Sequence, residues 1–386
     1  MAYCIYCGQE KRECLTKEHV VPRAVGGNLI NNQLKIEVCG RCNSVLGMFV
    51  DAPFVKSWLT ANNHALDALN YMDFCSGAVA PLAFMGLWSE YTYGAKQCEL
   101  WLGPAGDPVL HFHEPYPSLD NVPPMVGVPS YCRGDRFAYD PGFVITHLRA
   151  SNPVWMRAIL LSVQDCFPGS SLHVGNAPTP TGGRFTDIPD DLRPLAESIL
   201  GRLQEARELQ ITATANAKYA DRFLAKLALG IGKLTLNDTF PASRSASLLR
   251  KFMWTADPHA RGSLPVRGPA TLPPESQTAA VLNWEGAHTV CLRPCGGVLA
   301  LYTSFYGKQS LMIAVSDEQE HWQGKIPRDN GIVFVIAPGL RRYVGPKLLS
   351  AIIAHRLHLT TDDDLNHLEN SISRHSQLPP FNATEA

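Results

Sequence analysis

The sequence predicts an α+β protein: a small amino-terminal module of strand, loop, strand and helix, followed by a larger α+β domain with an antiparallel sheet. Three observations carry this. Two cysteine pairs, Cys4-Ile5-Tyr6-Cys7 and Cys39-Gly40-Arg41-Cys42, stand close together at one end of the chain. Apolar and β-branched runs separated by glycine turns fill residues 289–337, the pattern of an antiparallel meander. Between them, Tyr219, Phe223, Leu227 and Ile231 recur at the spacing of one helix face.

Composition narrows the functional classes. A chain of 386 residues with 45% hydrophobic content can bury one large core or two medium ones, and two domains, one small and one large, are expected. A formal net charge of -1 provides no global positive field, so any contact with nucleic acid has to come from a local patch. No apolar run is long enough to span a bilayer, and the chain opens on a cysteine pair where a leader would carry charge and then an apolar segment. The expectation is a cytoplasmic protein with no membrane partner. Eleven cysteines, regularly spaced only in the two pairs, fit a reducing compartment better than a disulfide framework.

Two C-x-x-C pairs supply four soft ligands, Cys4, Cys7, Cys39 and Cys42, to one tetrahedral structural zinc. The bland alternative, four unrelated cysteines acting as small buried hydrophobes, sits poorly with that spacing. Gly8 lets the backbone fold back behind the first pair, and Cys14 has no assigned role. Between the pairs, Val20-Val21 reads as a short strand ended by Pro22, Gly26-Gly27 as a turn, and 34–38 as a second strand. After Cys42, residues 43–58 have roughly helical spacing, interrupted by Gly47 and Pro53.

Glu18-His19-Val20-Val21-Pro22, then Gly26-Gly27-Asn28, then the second cysteine pair with Asn43 and Gly47, resembles the zinc-stapled branch of the HNH endonucleases. The resemblance covers about residues 1–50 and implies a ββα-metal fold that hydrolyses phosphodiester bonds. It implies His19 as general base, and Glu18 with Asn43 as ligands of a catalytic Mg²⁺ separate from the zinc. Glu18 stands where Asp or His is usual, and Asn43 where His is common. The asparagine that orients the histidine is taken as Asn32, with Asn31 and Asn28 as competitors, because the segment before Cys39 is longer than usual.

The residue types suit that chemistry. A neutral imidazole accepts a proton near pH 7, and hard oxygen donors favour Mg²⁺. Taken alone, a His beside a Glu reads as a surface ion pair; the flanking cysteine pairs and Asn43 shift the reading to catalysis. Neighbours on a regular strand point to opposite faces, so Glu18 and His19 share a site only where the strand twists or stops. The expectation is that the His19 ring and the Asn43 side chain face one cavity. Lys17, Arg23 and Arg41 are candidate phosphate contacts, with scattered surface charge the equal alternative.

Beyond residue 60 the chain carries less chemistry. Residues 62–72 read as the end of a helix and 87–114 as hairpins, with His111 and His113 on one strand face. That H-x-H could hold a metal, but no third ligand stands at readable spacing, and two polar residues on a solvent face is the favoured reading. Residues 115–142 and 168–191 read as loops, 143–148 as a strand, 154–167 as a helix or buried strand, and 191–209 as an amphipathic helix. Helices follow at 217–231, with Gly230 and Gly232 at its end, and at 243–254 behind Ser243 as N-cap. Strands are expected at 289–292, 298–306, 309–316 and 332–337, a helix from Gly345-Pro346 to about 359, and then a polar tail. Cys291 and Cys295 read as core.

The expected domains are 1–60 for the module, 61–210 for an α+β region, 211–360 for helices plus meander within the same large domain, and 361–386 for the tail. The expected function is Mg²⁺-dependent cleavage of nucleic acid, DNA favoured, with the large domain placing substrate or a protein partner. Two alternatives stand beside it: a non-catalytic zinc module that binds nucleic acid or protein, and a nuclease subunit active only within a complex.

Overall fold

A computed structural model describes residues 2–11, 15–30, 34–55, 57–73, 79, 81–103, 107–114, 142–147, 153–175, 188–205, 218, 220–236, 238–273, 275–326 and 330–376. The chain divides into two compact units, Met1–Val55 with Asn216–Arg374, and Lys56–Ala215 with His375–Ala386.

The first unit opens with β1 (Ala2–Cys4), β2 (Gln9–Lys11), β3 (Leu15–His19), β4 (Lys35–Cys39), α1 (Gly40–Leu46), a π turn (Gly47–Asp51) and α2 (Ala52–Val55). The second unit holds α3 (Trp58–Tyr71), β5 (Ala83–Tyr93), β6 (Lys96–Leu102), β7 (Pro108–His113), β8 (Phe143–His147), α4 (Pro153–Cys166), β9 (Ser171–Gly175) and α5 (Arg193–Glu205). The first unit then resumes with α6 (Asp221–Thr235), α7 (Arg244–Trp254), α8 (Pro258–Gly262), β10 (Ala270–Leu272), α9 (Gln277–Leu282) and β11 (His288–Cys295). It ends with β12 (Val298–Phe305), β13 (Gln309–Ser316), β14 (Ile332–Ala337), β15 (Arg342–Leu348), α10 (Leu349–Arg356) and α11 (Asp363–Ser376).

The amino-terminal hairpins do not make a core of their own. Val20, Leu46 and Phe54 share one cluster with Phe223, Leu227 and Phe305, and the Phe54 and Phe223 rings stack with centroids 3.9 Å apart. So few residues bury too little apolar surface alone, and the returning chain supplies the rest. Residues 216–374 therefore group with the amino terminus, where the sequence reading joined 211–360 to 61–210.

α6 runs through Gly230 and Gly232, which the sequence reading placed at its end. Both glycines are packing positions: a Cβ on Gly230 would lie 2.7 Å from Val20 Cγ1, and one on Gly232 would lie 2.4 Å from the Phe240 ring. Ser243 caps α7 as expected, its Oγ accepting from the Ala246 amide at 3.0 Å.

The first unit's sheet has the order β10-β13-β12-β11-β14-β15, and its four central strands are those the glycine-punctuated runs predicted. The Gly345-Pro346 step lies in the edge strand β15 and starts no helix, since proline's missing N–H costs nothing on an unpaired edge. The expected polar tail is helical as far as Ser376, held by buried Leu365 and Leu368 and by Asp362, which accepts from the amides of Asp364 and Leu365.

In the second unit the sheet order is β5-β6-β7-β8-β9, antiparallel except for the parallel β8–β9 pair. Trp101, Val109, Val144 and Leu172 pack with α4 on one face, while Cys98, Leu100, Leu110 and Ile145 pack with α5 on the other. Burial on both faces explains why β7 is apolar or buried at every position and shows no clean alternation.

Candidate metal centre and hairpin site

Cys4 ends β1, and a tight turn closed by Gly8 N–H to Cys4 O (2.9 Å) returns the chain past Cys7. Gly8 has φ +68, a left-handed conformation that glycine takes without strain. Cys39 ends β4 and is the N-cap of α1, whose first turn carries Cys42. β3 pairs with β4 from Leu15↔Cys39 to His19↔Lys35, so the second knuckle sits at the opposite end of the hairpin from His19. The ligand atoms of Cys4, Cys7, Cys39 and Cys42 all lie within 4.8 Å of one another, the convergence of a tetrathiolate zinc site. A hydrogen bond from Cys42 is the main influence holding the Cys4 thiol well below its ordinary pKa, with backbone contacts at Cys39, Cys7 and Tyr6 adding to it. The same contact raises the Cys42 thiol, so without an ion the two sulfurs share a proton.

Alternation along β3 puts Thr16 and Glu18 on one face and Lys17 and His19 on the other. Asn43 follows the inner face, its amide donating to Thr16 Oγ1 at 3.0 Å. Regular pairing as far as His19↔Lys35 therefore keeps His19 and Asn43 on different faces of the strand, where the sequence reading expected one shared cavity.

Glu18 meets a cation, and that cation belongs to the chain. Lys226 of α6, 1% exposed, donates its ammonium to Glu18 Oε1 and to Asp51 Oδ2. The ammonium also lies over the Tyr6 ring, 5.8 Å from its centroid, which ties the cluster to the first knuckle. Asp51 arrives from the π turn. Pro53 has no N–H for the Phe49 carbonyl, and Arg222 Nη1 donates to that oxygen instead, at 3.2 Å. The helical run thus passes the proline that was expected to interrupt it. Burial, only partly offset by Lys226, pushes the Asp51 carboxyl up to about 6.

This donor set suits Mg²⁺ in kind. Two carboxylates converge on a single monovalent cation, and Asp51 Oδ1 is buried with no hydrogen-bond partner. Sequence reasoning missed Asp51 and Lys226; they lie eight and about two hundred residues from the motif, and only the packing of α6 brings them in.

His19 is set up differently. Its Nδ1 lies 3.2 Å from the Gly27 carbonyl oxygen, which can only accept, so Nδ1 carries the proton and Nε2 the lone pair. Gly27 has no alternative there: a Cβ would fall 1.7 Å from Val21 O. Burial first, then the charges of Lys35, Arg23 and Lys226, lower the His19 pKa from its ordinary 6.5. Lys17 and Arg23 are exposed, Lys17 on the His19 face, while Arg41 is exposed on α1. Asn28 is exposed; Asn31 and Asn32 lie outside the described residues.

Residues 4–59 match the family model of the HNH endonucleases, which spans the module, the second cysteine pair and the helical run after it. No curated protein and no solved structure matches the chain.

Proposed function

We propose that the amino-terminal module hydrolyses phosphodiester bonds in nucleic acid, with DNA the favoured substrate and His19 the general base. The observation that carries this reading is the 3.2 Å contact of His19 Nδ1 with the Gly27 carbonyl oxygen. Nδ1–H donates to Gly27 O, and a lowered pKa keeps Nε2 unprotonated and ready to accept a proton from water. Lys35, opposite His19 on β4, and Arg23 provide positive charge for a phosphate beside the ring, and Lys17 extends that face. They place the backbone without reading its sequence. Zn²⁺ on the four cysteines holds the hairpin against α1. Glu18 and Asp51 are the residues that would hold Mg²⁺, which supplies charge neutralisation at the phosphorane and the departing oxygen, while Asn43 is engaged with Thr16.

A second reading has an observation of its own. Lys226 already neutralises Glu18, so the module serves as a binding fold if the ammonium stays in place under Mg²⁺.

Plasmid nicking with Mg²⁺, comparing the native chain with His19→Ala and checking zinc in both, separates the two. Loss of cleavage by about 10²–10⁴-fold with zinc retained supports the general base. Equal nicking by both proteins removes His19 from that role, and nicking by neither favours the binding fold.

A further inference from the structure

The H-x-H of β7 does not face solvent. His111 and His113 are 4% and 2% exposed, and the register of β6 with β7 sets Glu99, 3% exposed, directly opposite His111. Residues two apart on a strand share a face, so Glu99, His111 and His113 point to one side of the sheet. Their ligand atoms all lie within 4.8 Å of one another.

The spacing between these atoms is informative. His111 Nδ1 is 3.5 Å from Glu99 Oε2, and His113 Nε2 is 3.4 Å from Glu99 Oε1. A charge-assisted N–H···O bond would close to roughly 2.7–2.9 Å. Donors about 2.0–2.1 Å from one tetrahedral ion stand roughly 3.3 Å from each other. The observed separations match the edges of a coordination polyhedron.

The supporting contacts point the same way. His113 Nδ1 lies 2.7 Å from the Glu114 carbonyl oxygen, so that nitrogen carries the proton and Nε2 is the one turned to Glu99. A metal-bound imidazole characteristically donates its other N–H to a carbonyl in this way. Trp101 Nε1 donates to Glu99 Oε2 at 3.3 Å and fixes the carboxylate. The two imidazole rings stack with centroids 4.7 Å apart, and Phe167 covers His111 at 4.5 Å. Phe167 and Val144, the strand neighbour of His111, also line a cavity of about 370 Å³.

We infer that Glu99, His111 and His113 form a second metal site, independent of the cysteine cluster, for a first-row divalent cation with Zn²⁺ as its natural fit. Two imidazoles and one carboxylate are a zinc ligand set that leaves a fourth position for water, and among the described residues no fourth protein ligand joins them.

The test is a metal count on the full chain, stripped with a chelator, reloaded with Zn²⁺ and weighed by native mass spectrometry. The native protein should hold two ions. Cys39→Ser with Cys42→Ser should hold one, and Glu99→Gln and His113→Gln should each hold one. Trp101→Phe should keep both ions while weakening the second by about 10–100-fold, as loss of an orienting contact does. To separate ligand loss from misfolding, Zn²⁺ is titrated into the Cys39→Ser, Cys42→Ser chain during thermal unfolding. The melting temperature should rise there and stay fixed once Glu99→Gln is added. One ion in the native chain, or a second ion retained by both Glu99→Gln and His113→Gln, overturns the site.

Discussion

Glu18 and Asp51 in the first unit, and Glu99 in the second, are carboxylates with little access to water, yet they face different nitrogens. The first pair converges on the ammonium of Lys226, delivered by a helix from far along the chain. Glu99 faces two imidazoles, 3.5 and 3.4 Å from its carboxylate oxygens. In the first cluster the fold itself contributes the cation, at contact distance. In the second, the gaps are those left around an ion. Buried carboxylates need a positive partner: at Glu18 and Asp51 the chain supplies one that Mg²⁺ would have to displace, whereas Glu99 has no ammonium or guanidinium against it among the described residues.

The largest effect is expected at Lys226. Lys226→Met leaves Glu18 and Asp51 without their cation and should cost about 3–5 kcal/mol in urea unfolding. A loss below about 1 kcal/mol would mean that the two carboxylates do not depend on the ammonium, and the contrast with Glu99 would fail. Next in size is Gly230→Ala, whose Cβ would press on Val20 Cγ1 at 2.7 Å. Overpacking of that kind costs about 1–3 kcal/mol and should also lower nicking, because Val20 follows His19 in the chain.

Two effects of pH sharpen the picture. His19 is held below 6.5, so it stays neutral as pH falls through that value. The acid limb of the nicking rate should therefore lie below 6.5, and a limb at or above it would contradict the environment described for the ring. Asp51 is raised from 3.8 to about 6, so its contribution to stability is complete below 3.8 and is lost as pH rises through about 6. Asp51→Asn should flatten that slope, read from urea midpoints between about pH 4 and about pH 7.

The local motifs were legible from the residues, and their partners were not. Two C-x-x-C pairs announce a four-thiol cluster because each pair is a short-range geometric unit. The strands from His288 to Ala337 were readable because glycine turns separate β-branched runs. His111 and His113 were read as solvent-facing, since alternation gives a face without saying what covers it. Glu99 became a third ligand only through the strand register.

By itself the sequence determined the knuckles, the Glu18-His19 step between them, the capped helix at Ser243 and the meander, each written in contacts a few residues apart. Tertiary structure alone decided that α6 returns to give Lys226 to Glu18, that a π turn delivers Asp51, and that Glu99 meets two histidines across a sheet. The physical reason is distance along the chain. Capping, turns and periodicity are enforced by neighbours, while a buried charge finds its partner only after the core has closed around both.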